Sequence, residues 1–360
     1  MAHSCALIAR MNNPPKPRDG RSVPQMHKRS LQHDYHGRGI YLITLCTEGR
    51  KPLLGRLIGE KPSEAAIEPT ALGREVLRCW EQIPVMQRQL AEQKTMRTGL
   101  PCERDIILLS RQLMPDHFHG IIFVRKDMDI ALGNVIKGFM IGCTKAFNGA
   151  SPQVCGAQGQ RAPLLPLWEK GYHDRLLLHE GQLQNMINYV RDNPRRLLLR
   201  RQHRDLFAVQ RNVRFWQWSF SAIGQVQLLD APLTAVHVRR YFNDSQRRDY
   251  MNGCILAARR GAVLVSPFIS EHEKRVREEA FREGLPYIQL CAGPFSDYHK
   301  PPGELMDECS KGNLLLLTLA TGAEKTHHIT RDECSGLNAL AESMARYSTE
   351  NLTTTTYANQ

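Results

Sequence analysis

No two of the ten cysteines stand in Cys-x-x-Cys spacing. Their scatter argues against a zinc ribbon and against a disulfide framework, and suits a reducing cytosol. No apolar run is long enough to span a bilayer, so no membrane partner is expected. Residues 1–28 lack the apolar core of a signal peptide and carry Pro14, Pro15 and Pro17 among basic residues, which predicts a flexible basic arm. Neither Gly-x-Gly-x-x-Gly nor a P-loop occurs, so no nucleotide cofactor is assigned. Acidic residues are the scarcer sign, 36 against 48 Lys and Arg, for a formal charge of +12. That surplus points to a polyanionic partner or surface. At 360 residues there is room for two domains with separate cores.

Hydrophobic patterning divides the chain in two. Residues 40–46, 105–113, 117–124 and 168–178 read as strands. Helices fit 70–84, where Thr70 caps and Pro84 ends or kinks the pattern, then 130–147 and 180–193, with a loop over 150–166. The order strand, helix, strand, strand, helix, strand, helix is close to a ferredoxin-like split βαβ arrangement with an appended helix, an α+β class with an antiparallel sheet. Beyond Asn212 short apolar strands at 262–267, 287–291 and 314–318 alternate with helices at 270–284 and 330–347. That alternation predicts a parallel, Rossmann-like α/β unit. The expected organisation is an arm at 1–28, a first domain at 29–205, an α/β accessory domain at 212–347 and a frayed tail rich in Thr and Asn at 348–360.

One stretch carries most of the chemistry: Met114-Pro115-Asp116-His117-Phe118-His119-Gly120, running into Ile121-Ile122-Phe123-Val124. On a strand, residues two apart share a face, so His117 and His119 project together and Phe118 opposes them. Two neutral imidazoles on one strand make half a site for a divalent metal, or two histidines satisfied by backbone carbonyls. The Asp-His pair or further close histidine with which zinc hydrolases usually continue is absent. On the predicted helix over 180–193, Tyr189 and Asn193 stand one turn apart, while Leu183, Met186, Ile187 and Val190 form the buried stripe. Pro194 disfavours helical backbone at Asn193. On periodicity alone a half-buried surface tyrosine followed by a helix-terminal asparagine before Pro194 is the better fit.

The blocks Gly39 to Thr47, Ala71-Leu72-Gly73-Arg74, Met114 to Ile122, Leu167-Trp168-Glu169-Lys170-Gly171-Tyr172-His173-Asp174 and Tyr189-Val190-Arg191-Asp192-Asn193-Pro194 occur in one order. Together, over roughly 29–201, they resemble the REP-associated tyrosine transposases, relatives of the single-tyrosine HUH transposases of small insertion sequences. The resemblance implies a metal-dependent enzyme that nicks and rejoins single-stranded DNA with hairpin or repeat structure. It implies His117, His119 and Asn193 as ligands to Mg²⁺ or Mn²⁺, and Tyr189 as the nucleophile that forms a 5′-phosphotyrosine. A phosphodiester is a poor electrophile, so a cation is needed to neutralise its charge. A phenol ordinarily ionises near pH 10, so neighbouring positive charge must assist it. Two imidazoles suit Mn²⁺ better than Mg²⁺.

Arg191, Arg195, Arg196, Arg200 and Arg201, with Arg204, Arg211 and Arg214 beyond, would attract DNA phosphates or form a solvated basic face. The segment 28–38 is a further candidate for phosphate contact. Trp168, Trp216 and Trp218 would stack on unpaired bases or pack in a core. Tyr172 is a competing nucleophile on paper, in a strand-like, structural setting. The run from Arg260 through Ala262-Val263-Leu264-Val265-Ser266-Pro267 to Ser270, with its helix to Gly284, resembles the Rossmann-like strand-loop-helix of DNA-processing recombination mediators, and the helix opening at Ser270 offers an anion site. A prokaryotic, cytoplasmic and nucleoid-associated protein is expected, as a monomer or a homodimer. The alternatives are a catalytically silent, domesticated DNA-binding protein acting on repeats, and a metal-dependent phosphodiesterase with a structural Tyr189.

Overall fold

The computed structural model describes residues 33–150, 165–297, 299–320 and 329–358, with backbone alone at 150 and 351–358. The expected basic arm and most of the loop expected over 150–166 lie outside the described residues. The chain is mixed α/β and divides into two compact units, Met1–Leu198 and Leu199–Gln360. The boundary expected over 205–212 therefore falls earlier, inside a helix.

The first unit holds strands β1 (Gly39–Cys46), β2 (Gly55–Ile58), β3 (Ala66–Pro69), β4 (Ile106–Leu113), β5 (His117–Val124) and β6 (His173–Leu176). Its helices are α1 (Ala71–Glu81), α2 (Ile83–Thr98), α3 (Leu132–Ala150) and the start of α4 (Gln182–Gln202). Thr70 caps α1 by accepting the Gly73 N–H. Pro84 does not close the helical run as expected. It occupies the first turn of α2, where no N–H is required of it, and the helix restarts there and continues to a left-handed Gly99.

β4, β5, β1 and β6 form one sheet in that order, with every neighbouring pair antiparallel. Period-two alternation splits its side chains between two faces. Tyr41, Ile43, Leu45, Phe118, Ile122 and Val124 join Val76 and Trp80 of α1 and Ile136 and Phe139 of α3 in one buried core. Ile40, Leu42, Ile121 and Phe123 face the other way and bury Leu183 and Val190 of α4. β5 is thus covered on both sides, and its odd-numbered residues look toward α4.

Between these elements Arg104 pairs with Asp129 at 2.6 Å and Lys94 reaches the same carboxylate at 2.8 Å. The hydrogen bond from Arg104, ahead of the Lys94 bond, holds the Asp129 carboxyl well below the usual carboxylate range. A depressed folded-state value stabilises the fold above the unfolded carboxyl value near 3.9 and is lost as pH falls through the folded value. Asp129→Asn is therefore expected to lower the melting temperature at neutral pH and to flatten its decline below about pH 4. An acid limb identical to wild type in a melting series would refute this role.

The second unit adds α5 (Arg204–Phe207), β7 (Gln210–Phe215), β8 (Trp218–Gly224), β9 (Leu233–Ala235), α6 (Asp244–Arg259), β10 (Val263–Ser266) and α7 (Glu271–Glu283). β11 (Tyr287–Leu290), α8 (Leu305–Lys311), β12 (Leu314–Thr318) and α9 (Arg331–Ala358) complete it. Its sheet runs β7-β8-β12-β11-β10-β9. β10, β11 and β12 pair in parallel as expected, β9 adds a fourth parallel strand that was not, and β8 joins β12 antiparallel and carries β7 as a hairpin partner. The sheet is therefore mixed, and the hairpin was not expected. The capping box at Ser270 and Glu273 is present. There the Glu273 carboxylate accepts the N–H groups of Ile269 and Ser270 at 3.1 and 3.0 Å. The expected frayed tail is corrected as well. Residues 348–358 continue α9, and the buried Ser348 hydroxyl accepts the Leu233 N–H at 2.9 Å.

Candidate active site

Strand geometry sets the two imidazoles side by side. The His117 and His119 ring centroids are 4.8 Å apart at 82°, with Phe118 fully buried on the opposite face. Each ring is held from behind through Nδ1. His119 lies opposite Thr44 of β1 and meets its hydroxyl at 2.8 Å. His117 meets the Asp116 carboxylate at 2.6 Å. Burial works to raise the Asp116 carboxyl, but the His117 hydrogen bond and charge, with Arg50 at 3.5 Å, hold it below its ordinary value. An imidazole fixed through Nδ1 presents Nε2 forward, the arrangement that orients metal-binding histidines.

α4 brings the third aromatic group. Leu183 and Val190 are buried, and Tyr189, beside them, is 36 % exposed. Its ring centroid lies 6.2 Å from that of His119. The Arg196 guanidinium sits over the same ring at 5.6 Å although its side chain is buried. A fixed positive charge thus stands beside the phenol.

Pro194 lies inside α4 without ending it. The reason is local. Proline has no N–H to give to the carbonyl four residues back, which is that of Val190. The Asn193 side chain supplies the missing donor, its Nδ2 reaching the carbonyls of Val190 at 3.3 Å and Tyr189 at 3.0 Å. With Nδ2 turned to two acceptors, Oδ1 must face away from them. Helical Tyr-to-Asn spacing therefore survives, and Asn193 carries a structural duty besides the one expected of it.

No family model matches the chain. An uncharacterized protein of Haemophilus influenzae is 20 % identical over 191 residues, which is 47 % of this chain and 88 % of that protein. A REP-associated tyrosine transposase, solved bound to a REP hairpin, is similar at a TM-score of 0.23 and 12 % identity, over 44 % of this chain and 67 % of that one. DNA processing protein A from Helicobacter pylori, solved for its single-stranded DNA binding mode, is similar at 0.27 and 20 %, over 35 % of this chain. The chain spans 56 % of that protein's length. Likenesses this low leave the chemistry to be argued from the residues themselves.

Among the described residues no three His, Cys, Asp or Glu side chains gather as a ligand set. A metal here would rest on His117 and His119 with an oxygen from elsewhere, and an amide oxygen such as that of Asn193 is a donor of the right kind. The arginines expected to contact DNA divide. Arg195 is held by Asp192 at 2.6 Å, and Arg196 is turned onto Tyr189. Arg191 and Arg201 are exposed. Arg200 and Arg201 belong to the second unit. Trp168 and Tyr172 are buried in the first core, which fits their structural reading. Asp116, Thr44 and Arg50 were missed by sequence reasoning. Asp116 adjoins His117 and could have been found, whereas the other two depend on strand register and loop geometry.

Proposed function

We propose that this chain is a metal-dependent enzyme that nicks and rejoins single-stranded DNA bearing hairpin or repeat structure, with Tyr189 as nucleophile. The observation that carries the reading is the approach of Tyr189 on α4 to His119 on β5, at a centroid separation of 6.2 Å. Two independent elements converge there on a phenol, a pair of imidazoles and a buried guanidinium. The β4-β5-β1-β6 strand order supports a ferredoxin-like split βαβ arrangement for the first unit, and the parallel strands β9 to β12 support a Rossmann-like character for the second.

In this mechanism Tyr189 gives up its phenol proton to solvent, its oxygen attacks the phosphorus, the bond to the 3′ oxygen breaks, and that oxygen takes a proton from solvent and departs as a free hydroxyl. The DNA stays joined to Tyr189 as a 5′-phosphotyrosine, which keeps the ester energy, so a second 3′-hydroxyl can reverse the step without ATP. Arg196 stabilises the negative charge developing on the phenol oxygen. His117, His119 and Asn193 would hold Mg²⁺ or Mn²⁺, which supplies charge neutralisation at the scissile phosphate. Asp116 and Thr44 fix the imidazole rings.

A labelled hairpin oligonucleotide with a single-stranded flank, incubated with the full-length chain and Mn²⁺, is expected to give a covalent adduct that survives denaturing electrophoresis. His119→Ala should reduce its yield by at least about 100-fold. A wild-type protein that binds the hairpin without forming an adduct would favour the silent DNA-binding reading instead.

A further inference from the structure

Trp216 occupies a position that its backbone does not suit. Phe215 pairs with Trp218, so Trp216 and Gln217 alone turn the β7–β8 hairpin. Trp216 has φ 52°. Two-residue hairpin tips favour Gly, Asn or Asp at left-handed positions, because a bulky side chain there crowds the following carbonyl. Burial does not compensate, since Trp216 is 54 % exposed. Backbone strain retained at an exposed aromatic residue points to a use for the side chain.

The ring is also presented rather than loose. One face of Trp216 lies on Tyr347 of α9, with centroids 4.3 Å apart and planes 17° from parallel. Its edge meets Trp218 at 5.3 Å and 75°. Phe215 stacks on Trp218 at 6.3 Å and 11° and meets Tyr347 edge-on at 5.7 Å. Four rings thus form one pack with Trp216 as its most exposed member. Arg214 precedes the tip and Arg346 precedes Tyr347; both are exposed and make no ion pair with a described residue. Glu350, a turn beyond Tyr347, is already engaged.

We propose that the Trp216 tip is a stacking platform for an unpaired base of single-stranded DNA, with Arg214 and Arg346 meeting the flanking phosphates. The proposal rests on the functional reading above for its ligand. An indole backed on one face by Tyr347 offers the other to any base, because every base has a π-face, and the guanidiniums add the charge that a DNA backbone requires. A purely structural tip predicts the opposite pattern on mutation. Glycine suits φ 52°, so Trp216→Gly relieves the backbone while removing the platform.

The test is the affinity of the full-length chain for a fluorescent oligothymidylate at fixed salt, read by anisotropy. Trp216→Gly and Trp216→Leu are expected to raise Kd roughly ten-fold, and Trp216→Phe to stay within about three-fold of wild type. Arg214→Ala should weaken binding less and flatten its salt dependence. Trp216→Gly should melt no lower than wild type. Trp216→Leu binding as tightly as wild type would overturn the platform, and that comparison holds even where the glycine variant is unstable. If Trp216→Leu keeps full affinity while hairpin adduct still forms at Tyr189, the platform alone fails. A wild-type chain that neither binds the oligonucleotide nor forms adduct sinks the functional reading with it.

Discussion

Tyr189→Phe should abolish the covalent adduct, by at least about 10³-fold, while hairpin affinity stays within about two-fold of wild type. The substitution removes a single oxygen. The Tyr189 hydroxyl makes no hydrogen bond with a described residue, so its loss orphans no partner. The ring keeps its place near His119 and under Arg196, because those contacts are made by the aromatic face and edge. Stability should therefore be nearly unchanged, and a fall in adduct reports chemistry alone. A nucleophile cannot be replaced in part, since no neighbouring group can form the same ester. Tyr172 supplies the control, because it is 7 % exposed in the core of the first unit. Tyr172→Phe should leave adduct yield near wild type. Adduct undiminished in Tyr189→Phe on a denaturing gel would refute the assignment of Tyr189.

The parts of this molecule that were legible in the sequence are those fixed by short-range periodicity. β5 alternates as its residues dictate, so the shared face of His117 and His119 followed from spacing. The buried stripe of α4 followed in the same way. What was hidden depends on partners far along the chain. Thr44 reaches His119 only because β1 pairs with β5 in one register. Arg50 reaches Asp116 from a loop with positive φ. Pro194 reads locally as a break, yet the Asn193 amide replaces the lost donor and α4 continues. Pro84 reads as an end because the sequence does not show that a second helix begins around it. The Thr-rich end of α9 has weak helical propensity, so composition alone did not show that the helix runs on through it. The charge of an arginine was visible, but its destination was not. Arg195 and Arg196 are adjacent in sequence, yet one answers Asp192 and the other covers Tyr189.

Gly120→Ala should be damaging to both the fold and the site of the first unit. Gly120 follows His119 on β5 and faces the α1 side, where a Cβ would lie 2.3 Å from Trp80 Cζ2 and 2.5 Å from Cη2. No flexible side-chain end lies there to yield. Trp80 is fully buried and set edge-on against Phe118 at 5.0 Å and Phe139 at 5.4 Å. Either the indole moves into those rings or β5 moves away from it, and overpacking of this kind costs about 1–3 kcal/mol. For a unit of this size that is a fall in melting temperature of roughly 3–10 °C. If β5 moves, the histidines on its other face move with it, so adduct yield at Tyr189 should fall by more than the folded fraction does. A second substitution separates the two routes. Trp80→Phe alone opens a cavity, but combined with Gly120→Ala the smaller ring makes room for the added methyl. It also removes the Trp80 indole N–H, which is buried without a hydrogen-bond partner among the described residues. The double variant should therefore melt higher than the sum of the single losses allows, a coupling of about 1 kcal/mol or more for residues in direct contact. Strictly additive losses would mean that Gly120 is required by backbone geometry instead of by the indole. Its place next to His119 would then owe nothing to Trp80.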